Sequence, residues 1–136
     1  MIALLQRVSA ARVVVDGATA GAIGQGLLVL LGVEAADTSV EADHLIERIL
    51  NYRVFADAAG KMNLSLREVR GGLLLVPQFT LAADTHKGLR PSFSTAAPPE
   101  RGRALFDHAV AQAQRVHVPV AQGVFGAAMQ VTLTND

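Results

Sequence analysis

The sequence predicts an α+β domain in which two helices pack on a curved, barrel-like and mostly antiparallel sheet of roughly five to seven strands. Three observations support this fold class. The chain has 136 residues, which suits one hydrophobic core. Its beginning is a series of short apolar runs separated by turn residues, and two later segments repeat apolar residues at helical spacing. We therefore expect a single domain over residues 1–136.

The first part of the chain is expected to form four strands. Residues 2–8 and 11–15 are apolar runs, and residues 18–23 return after an Asp-Gly turn signal. Residues 27–33 form a continuous apolar run, which is typical of a strand buried on both faces. That run therefore predicts a strand with no solvent-facing side.

Helical periodicity begins after Thr38. Thr38 and Glu41 have the spacing of a capping box, in which each side chain binds the backbone N–H of the other residue. Apolar residues then follow at positions 45, 46, 49 and 50, with polar residues on the other faces. A helix is therefore expected from about Ser39 to Tyr52.

The middle of the chain alternates between turns and strands. Residues 57–60 are expected to form a turn, and residues 64–69 are interpreted as a short strand. A further strand is expected over residues 73–76. Pro77 donates no backbone hydrogen bond, so this strand must end, bulge or lie at an edge near that position. Extended structure is expected to resume over residues 78–81.

The last third begins with a long segment, residues 82–97, that we interpret as an ordered loop. Pro98, Pro99 and Glu100 then mark the start of a helix, because proline is tolerated in the first turn. Its apolar stripe ends before Pro119. Two closing strands are expected, over residues 118–122 and 127–134.

Composition narrows the classes of function. The chain has no Cys, which excludes disulfides and thiolate metal sites, and its four His are scattered along the sequence. A net charge of zero argues against extensive contact with duplex phosphates, but it allows binding of a short single-stranded end. The longest apolar run, residues 26–33, is too short to span a membrane. We expect a cytoplasmic protein that uses no metal or cofactor.

The densest group of polar residues lies at positions 78–93. Thr80, His86 and Asp84 have the residue types of a nucleophile, a base and an orienting carboxylate. Their spacing along the chain, however, gives no reason to expect the hydrogen-bonded contacts that such a triad needs. On composition alone, a strand end followed by a solvated, charged loop explains the segment better.

The same segment resembles the signature of the D-aminoacyl-tRNA deacylase family. The sequence Gln-Phe-Thr-Leu-Ala-Ala-Asp at 78–84, followed by Arg-Pro-Ser-Phe at 90–93, matches that signature, whose usual form begins Ser-Gln-Phe-Thr. Five other stretches agree with the family in the same order along the chain: residues 1–8, 26–33, 60–63, 129–131 and 135–136. The resemblance therefore extends over essentially the whole sequence.

This resemblance implies a cytoplasmic homodimer with active sites at the subunit interface. The family hydrolyses the ester that links a D-amino acid to the terminal adenosine of tRNA, and glycine on tRNA is a second expected substrate. Gln78 and Phe79 would contact the substrate through backbone groups, with Thr80 beside the scissile ester. The 2′-hydroxyl of the tRNA would activate the water, and the N–H of Phe79 or Thr80 would stabilise the oxyanion.

Other residues receive roles from their position in the family pattern or from their charge. Arg7 and Met129 match family residues near the pocket, and both are expected to bind substrate. For Arg7, a surface cation on a strand is an equally open interpretation. Four cations could meet tRNA phosphates: Lys87, Arg90, Arg101 and Arg103. For Arg101 and Arg103, a solvated helix face is the stronger interpretation.

Two features depart from the family pattern. Pro77 stands where the family usually has Ser, which removes a hydroxyl and a backbone donor beside the pocket. The family pattern also continues after Asp136 with Gly-Pro-Val-Thr, whose cis Gly-Pro peptide rejects L-amino acids in the pocket of the partner subunit. Either the given chain is trimmed or the protein lacks this filter. We expect trimming, because the match continues to the last residue.

Two alternatives to the deacylase stay open. The same fold could bind a nucleic-acid end without hydrolysing it, and the change at Pro77 would suit such a module. A hydrolase of small esters or amides that uses Thr80 as its nucleophile is the second alternative. Release of D-tyrosine from D-Tyr-tRNA distinguishes the deacylase from the binding module.

Overall fold

The computed structural model describes residues 1–136 as eight strands, three α-helices and one 3₁₀ helix. In chain order the elements are β1 Ile2–Val15, β2 Ala18–Ile23, β3 Gly26–Gly32, α1 Ser39–Asn51, β4 Phe55–Ala56, β5 Met62–Leu64, α2 Leu66–Val69, β6 Gly72–Pro77, the 3₁₀ helix Phe79–Ala82, α3 Pro99–Val116, β7 Val120–Gln122 and β8 Gln130–Asn135. None of the helices is long and apolar enough to cross a lipid bilayer.

Six of the strands form one sheet in the order β2-β1-β3-β6-β7, with β8 also paired to β1. The three pairings made by β1 are antiparallel, and β6 runs parallel to both β3 and β7. The outermost strands of this order, β2 and β7, approach each other and nearly close the sheet into a barrel. A Cβ added at Gly21 of β2 would lie only 2.6 Å from the backbone oxygen of Gln122 in β7. The predicted curved, barrel-like and mostly antiparallel sheet is confirmed.

The first strand is longer than expected. Residues 2–8 and 11–15 were predicted as separate strands, but β1 runs without interruption from Ile2 to Val15. Its pairing with β8 shifts register between Val8 and Ala10, which is the signature of a bulge. A bulge bends a strand without ending it, so β1 can pair with β3 in its first half and with β2 and β8 in its second.

Strand β3 is buried on both faces, as its apolar sequence predicts. Alternate side chains point to opposite faces of a strand. Leu27, Val29 and Leu31 therefore join the core beneath the helices, whereas Leu28 joins a second core inside the curved sheet. The neighbouring β6 divides its side chains in the same way, with Leu73 and Leu75 on the helix side and Leu74 and Val76 inside.

The two long helices cover the outer face of the sheet. The predicted capping box starts α1, because Thr38 accepts a hydrogen bond from the N–H of Val40 while its own N–H donates to Glu41. The helix ends at Asn51, one residue before the expected end. Helix α3 begins at Pro99, as the prolines predict, and its buried stripe contributes Phe106 to the core.

Two local predictions are wrong. Residues 64–69 contain helix α2 rather than a strand, because Ser65 and Glu68 form a second capping box. Residues 78–81 are not extended, since the chain turns into the 3₁₀ helix directly after Gln78. There the N–H of Leu81 donates to the carbonyl of Gln78, and the N–H of Ala83 donates to that of Thr80.

Candidate functional site

A pocket of about 480 Å³ opens where strand β6 runs into the 3₁₀ helix. Its near side is formed by the end of β3, the end of β6 and the first residue of the 3₁₀ helix, and its far side by the loop before α3, the start of α3 and the segment after β7. The lining residues are Leu31, Val33, Pro77, Gln78, Phe79, Phe93, Ala96, Ala97, Pro98, Pro99, Gly102, Phe125 and Gly126. Gln78 carries the one polar side chain in this set, and none of the side chains is ionisable.

Pro77 fits the end of β6 because the sheet does not need its missing N–H. The N–H of Gln78 donates to the carbonyl of Leu31, so the nitrogen of Pro77 faces away from β3 in the parallel ladder. On the other side, β7 pairs with β6 only as far as Leu75 opposite Gln122. The proline therefore ends the strand without leaving a gap in the ladder, and its ring lines the pocket.

Gln78 and Thr80 are linked at the rim of the pocket. The Nε2 of Gln78 donates a hydrogen bond of 2.6 Å to the hydroxyl of Thr80. Gln78 lines the pocket, whereas Thr80 is exposed and lies outside the lining. Phe79 and Thr80 are the first residues of the 3₁₀ helix, and a helix provides no internal acceptor for its first N–H groups.

Phe79 and Phe93 form an aromatic pair at the pocket mouth. Their ring centroids lie 5.1 Å apart with the planes at 70°, which is an edge-to-face arrangement. Both rings are partly open to solvent, and Phe79 has 56% of its surface exposed. An apolar group that enters the pocket would cover these rings. The structure therefore brings the two aromatic residues of the predicted segment together in one wall.

Arg7 lies in a different part of the molecule. Its Nε donates to the backbone oxygen of Asp136 at 2.8 Å, and its Nη1 donates to that of Val54 at 2.6 Å. It pairs with Leu27 near the start of β3, whereas Pro77 pairs with Leu31 at the other end of that strand. Within one chain, the structure does not bring Arg7 to the pocket of Gln78 and Phe79.

Met129 lies behind the pocket rather than in its lining. Its sulfur accepts a hydrogen bond of 3.4 Å from the N–H of Val124. A Cβ added at Gly123 would be 2.8 Å from this sulfur and 3.4 Å from the ring of Pro77. Met129 therefore packs close to the Pro77 side of the pocket, and its expected contact with substrate stays a prediction.

Asp84 and His86 form a pair on the exposed loop after the 3₁₀ helix. The imidazole Nδ1 lies 2.7 Å from the carboxylate, and the backbone N–H of His86 donates to the same oxygen. These hydrogen bonds, the backbone one first, hold the pKa of the Asp84 carboxyl below its ordinary value. Thr80 binds Gln78 instead of His86, so the base and orienter are paired but the nucleophile of a triad is not joined to them.

The far wall of the pocket was missed by reasoning from the sequence. Gly102 on α3 and Phe125 after β7 both line the pocket, and Arg103 holds the ring of Phe125. The sequence offered one weak signal, which is an aromatic residue between glycines at 123 and 126. Nothing in the spacing connects that segment with the start of α3, because the contact depends on how the helix packs.

Comparison with known sequences identifies the family. A family model described as D-Tyr-tRNA(Tyr) deacylase matches residues 4–136. A protein named D-aminoacyl-tRNA deacylase from Thioalkalivibrio sulfidiphilus is 65% identical over 136 residues, which cover all of this chain and 91% of that protein. A protein of the same name from Pseudomonas fluorescens is also 65% identical, with 94% of its length covered.

Solved structures show the same fold. A structure titled "c-Myc DNA Unwinding Element Binding Protein" has a TM-score of 0.93 and 39% sequence identity, and the match covers 98% of this chain and 91% of that one. A structure described as a probable eukaryotic D-amino acid tRNA deacylase is only 16% identical, with a TM-score of 0.85 over 98% of this chain and 93% of that one, so it supports the fold alone. With the family model covering nearly the whole sequence, the chain belongs to the D-Tyr-tRNA(Tyr) deacylase family.

Proposed function

We propose that this protein hydrolyses the ester bond of D-aminoacyl-tRNA and releases the free D-amino acid and the tRNA. Family membership supports the reaction class, because the relatives at 65% identity carry the name D-aminoacyl-tRNA deacylase. The observation that carries the proposal is the pocket itself. It combines apolar walls with Gln78 and Phe79 in its lining, and the lining has no ionisable side chain.

Such a pocket suits a reaction in which the substrate supplies part of the chemistry. The 2′-hydroxyl of the terminal ribose lies next to the 3′-ester and assists the attacking water. The protein holds the ester in position and directs the N–H of Phe79 or Thr80 at the oxygen that becomes negatively charged. Orientation can lower a barrier by several kcal/mol, and one oxyanion donor contributes about 3–4 kcal/mol. No general base from the protein is required.

The residues of this site have separate roles in the proposal. Gln78 and Phe79 line the pocket and contact the substrate, and Thr80 lies at its rim beside the scissile ester. Met129, which packs close to the ring of Pro77, is proposed to contact the substrate as well. Glycyl-tRNA is a second proposed substrate, because a site that excludes by clash with a side chain does not exclude a residue that has none.

A homodimer with active sites at the subunit interface completes the proposal. Arg7 is remote from the pocket of its own chain, so a second subunit is the route by which its guanidinium would approach a substrate. Because tRNA is aminoacylated in the cytoplasm, we place the enzyme there. Sedimentation of the full-length protein tests the dimer, and a monomer with full activity would contradict it.

The deciding experiment measures release of D-tyrosine from D-Tyr-tRNA by the full-length protein, with L-Tyr-tRNA as the control. We expect rapid release from the D-ester and little from the L-ester. Glycyl-tRNA tested under the same conditions checks the second substrate. Binding of tRNA without any turnover would instead support a non-catalytic module, an alternative in line with the binding-protein title of the structure that shares 39% identity.

A further inference from the structure

The α-ammonium group of Met1 lies between two carboxylates. Its nitrogen is 2.8 Å from Oε2 of Glu34 and 2.7 Å from Oδ1 of Asp37. The side chain of Met1 packs against the core beneath the helices, and only 1% of it is exposed. Because that side chain is anchored in the core, the ammonium group is held beside both carboxylates at the start of β1.

The carboxylate of Asp37 depends on this ammonium group for its counter-charge. Asp37 is buried, with 5% of its surface exposed. Its Oδ2 accepts a hydrogen bond of 2.7 Å from the backbone N–H of Glu34, whereas Arg101 donates to the backbone oxygen of Asp37 and not to the carboxylate. The amine of Met1 is therefore the one cation paired with this carboxylate. A buried carboxylate that loses its counter-charge destabilises the folded state.

The loop that carries both carboxylates also holds the segment before α3. The N–H of Ala35 donates to the carbonyl of Thr95 at 3.1 Å, and the N–H of Ala97 donates to that of Val33 at 2.9 Å. Val33 and Ala97 both belong to the lining of the pocket. The ammonium group thus supports this part of the chain from outside the pocket, without being part of its lining.

We propose that the unmodified α-amino group of Met1 is a structural cation of this fold, and that acylation of this amine is a modification that loosens the loop after β3. A formyl or acetyl group replaces the ammonium by a neutral amide with a single N–H, so the carboxylates of Glu34 and Asp37 lose their counter-charge. Full stability then requires a hydrolytic step that removes the acyl group. Water adds to the acyl carbon, the C–N bond breaks, and the proton of the released acid passes to the amine.

The first test compares the thermal midpoints of the unmodified and the N-formylated full-length protein at pH 7. We expect formylation to lower the midpoint by roughly 5 °C. In the double variant Glu34→Gln, Asp37→Asn, formylation should have little effect, because no carboxylate loses its partner. Glu34→Gln alone should reduce the effect in part, and Asp107→Asn, which neutralises an exposed carboxylate without a hydrogen bond, should keep all of it.

The second test uses the pH dependence of stability. Burial lowers the pKa of the Met1 amine, but its hydrogen bonds with Asp37 and Glu34 outweigh burial and raise the pKa above the ordinary value of 8.0. The charged groups around the amine are these two carboxylates and Arg101 of α3. The stability that the amine contributes is therefore present below pH 8.0 and is lost as the pH rises through the higher pKa of the folded state. The formylated protein should lack this loss.

Hydrogen exchange shows whether the effect is local. Formylation should speed exchange of the N–H groups of Ala35 and Ala97 roughly tenfold and leave that of Gly123, which donates to Leu75 in the sheet, unchanged. Equal midpoints for the two forms, a fall that persists in the double variant, or faster exchange at all three groups would overturn the inference. So would natural protein that carries an acyl group or further residues on Met1. Because no measurement uses tRNA, failure of the deacylase assay would leave the inference standing.

Discussion

Replacing Thr80 by Ala tests whether the enzyme uses a side-chain nucleophile. In the structure the hydroxyl of Thr80 is exposed and accepts one hydrogen bond of 2.6 Å, from Nε2 of Gln78. A hydrogen bond of this kind contributes about 0.5–1.5 kcal/mol. If Thr80 only helps to hold Gln78 in place, its loss should lower kcat/KM roughly two- to tenfold. Loss of a true nucleophile costs on the order of a millionfold in kcat.

The assay is single-turnover deacylation of D-Tyr-tRNA, in which product release does not limit the rate. Thr85→Ala is the matched control, because Thr85 lies exposed on the neighbouring loop and its hydroxyl makes no hydrogen bond with the protein. We expect the control to equal the wild type and Thr80→Ala to retain most of the acceleration.

One result would refute this reasoning. If folded Thr80→Ala protein fell to the uncatalysed rate and Thr80→Ser regained activity, the hydroxyl itself would be the attacking group. Turnover of a simple ester that has no ribose 2′-hydroxyl, abolished by the same substitution, would then favour a hydrolase of small esters. The apolar pocket would keep its role in binding, but the mechanism assisted by the 2′-hydroxyl would be abandoned.

The remaining predictions concern the loop, the fold and the cations. Asp84→Asn and His86→Ala should each leave kcat within about twofold, since neither side chain is hydrogen-bonded to Thr80. A loss above roughly a hundredfold would instead indicate that the protein supplies the general base. Folding lowers the pKa of Asp84, so the stability that this carboxylate contributes is present above its ordinary pKa of 3.8. That contribution is lost as the pH falls through the lower pKa of the folded state. Urea unfolding of the wild type and of Asp84→Asn across this pH range measures the loss. Ser65→Ala removes the cap of α2 and should lower the free energy of unfolding by about 1 kcal/mol without changing activity; an unchanged urea midpoint would show that the cap is dispensable. Replacing Lys87 and Arg90 by Gln should raise KM for tRNA and make KM less dependent on salt concentration. Equal salt dependence in the wild type and the variant would show that these two residues do not contact the phosphates.

Elements with strong local signals could be predicted from the sequence. The apolar run of β3, the capping box at Thr38 and the prolines before α3 each act through neighbouring residues, and each prediction is confirmed. The capping box at Ser65 has the same spacing as the one at Thr38, yet it starts a helix of only four residues. So short a helix cannot show the apolar repeat by which longer helices are recognised.

Residues 78–81 could not be predicted because their conformation depends on distant contacts. Leu31 accepts the hydrogen bond of Gln78 as the last step of the parallel ladder, and β3 ends at Gly32. With no partner strand beyond that point, the backbone satisfies itself by local 3₁₀ hydrogen bonds. Of the three residues that the resemblance assigns to the pocket, Gln78 and Phe79 line it and Thr80 lies outside the lining, and the roles of all three stay predictions.

A site made of backbone groups depends on the path of the chain more than on the chemistry of its side chains. The path at Phe79 and Thr80 is fixed at one end by the hydrogen bond from Gln78 to Leu31 and at the other by Thr95, whose hydroxyl donates to the carbonyl of Ala82 at 2.6 Å. Neither contact lies at the ester, yet both set the direction of the N–H groups that would face it. If the proposed mechanism holds, a search for catalytic side chains finds none for a physical reason, because the N–H groups that would stabilise charge are carried by every residue except proline.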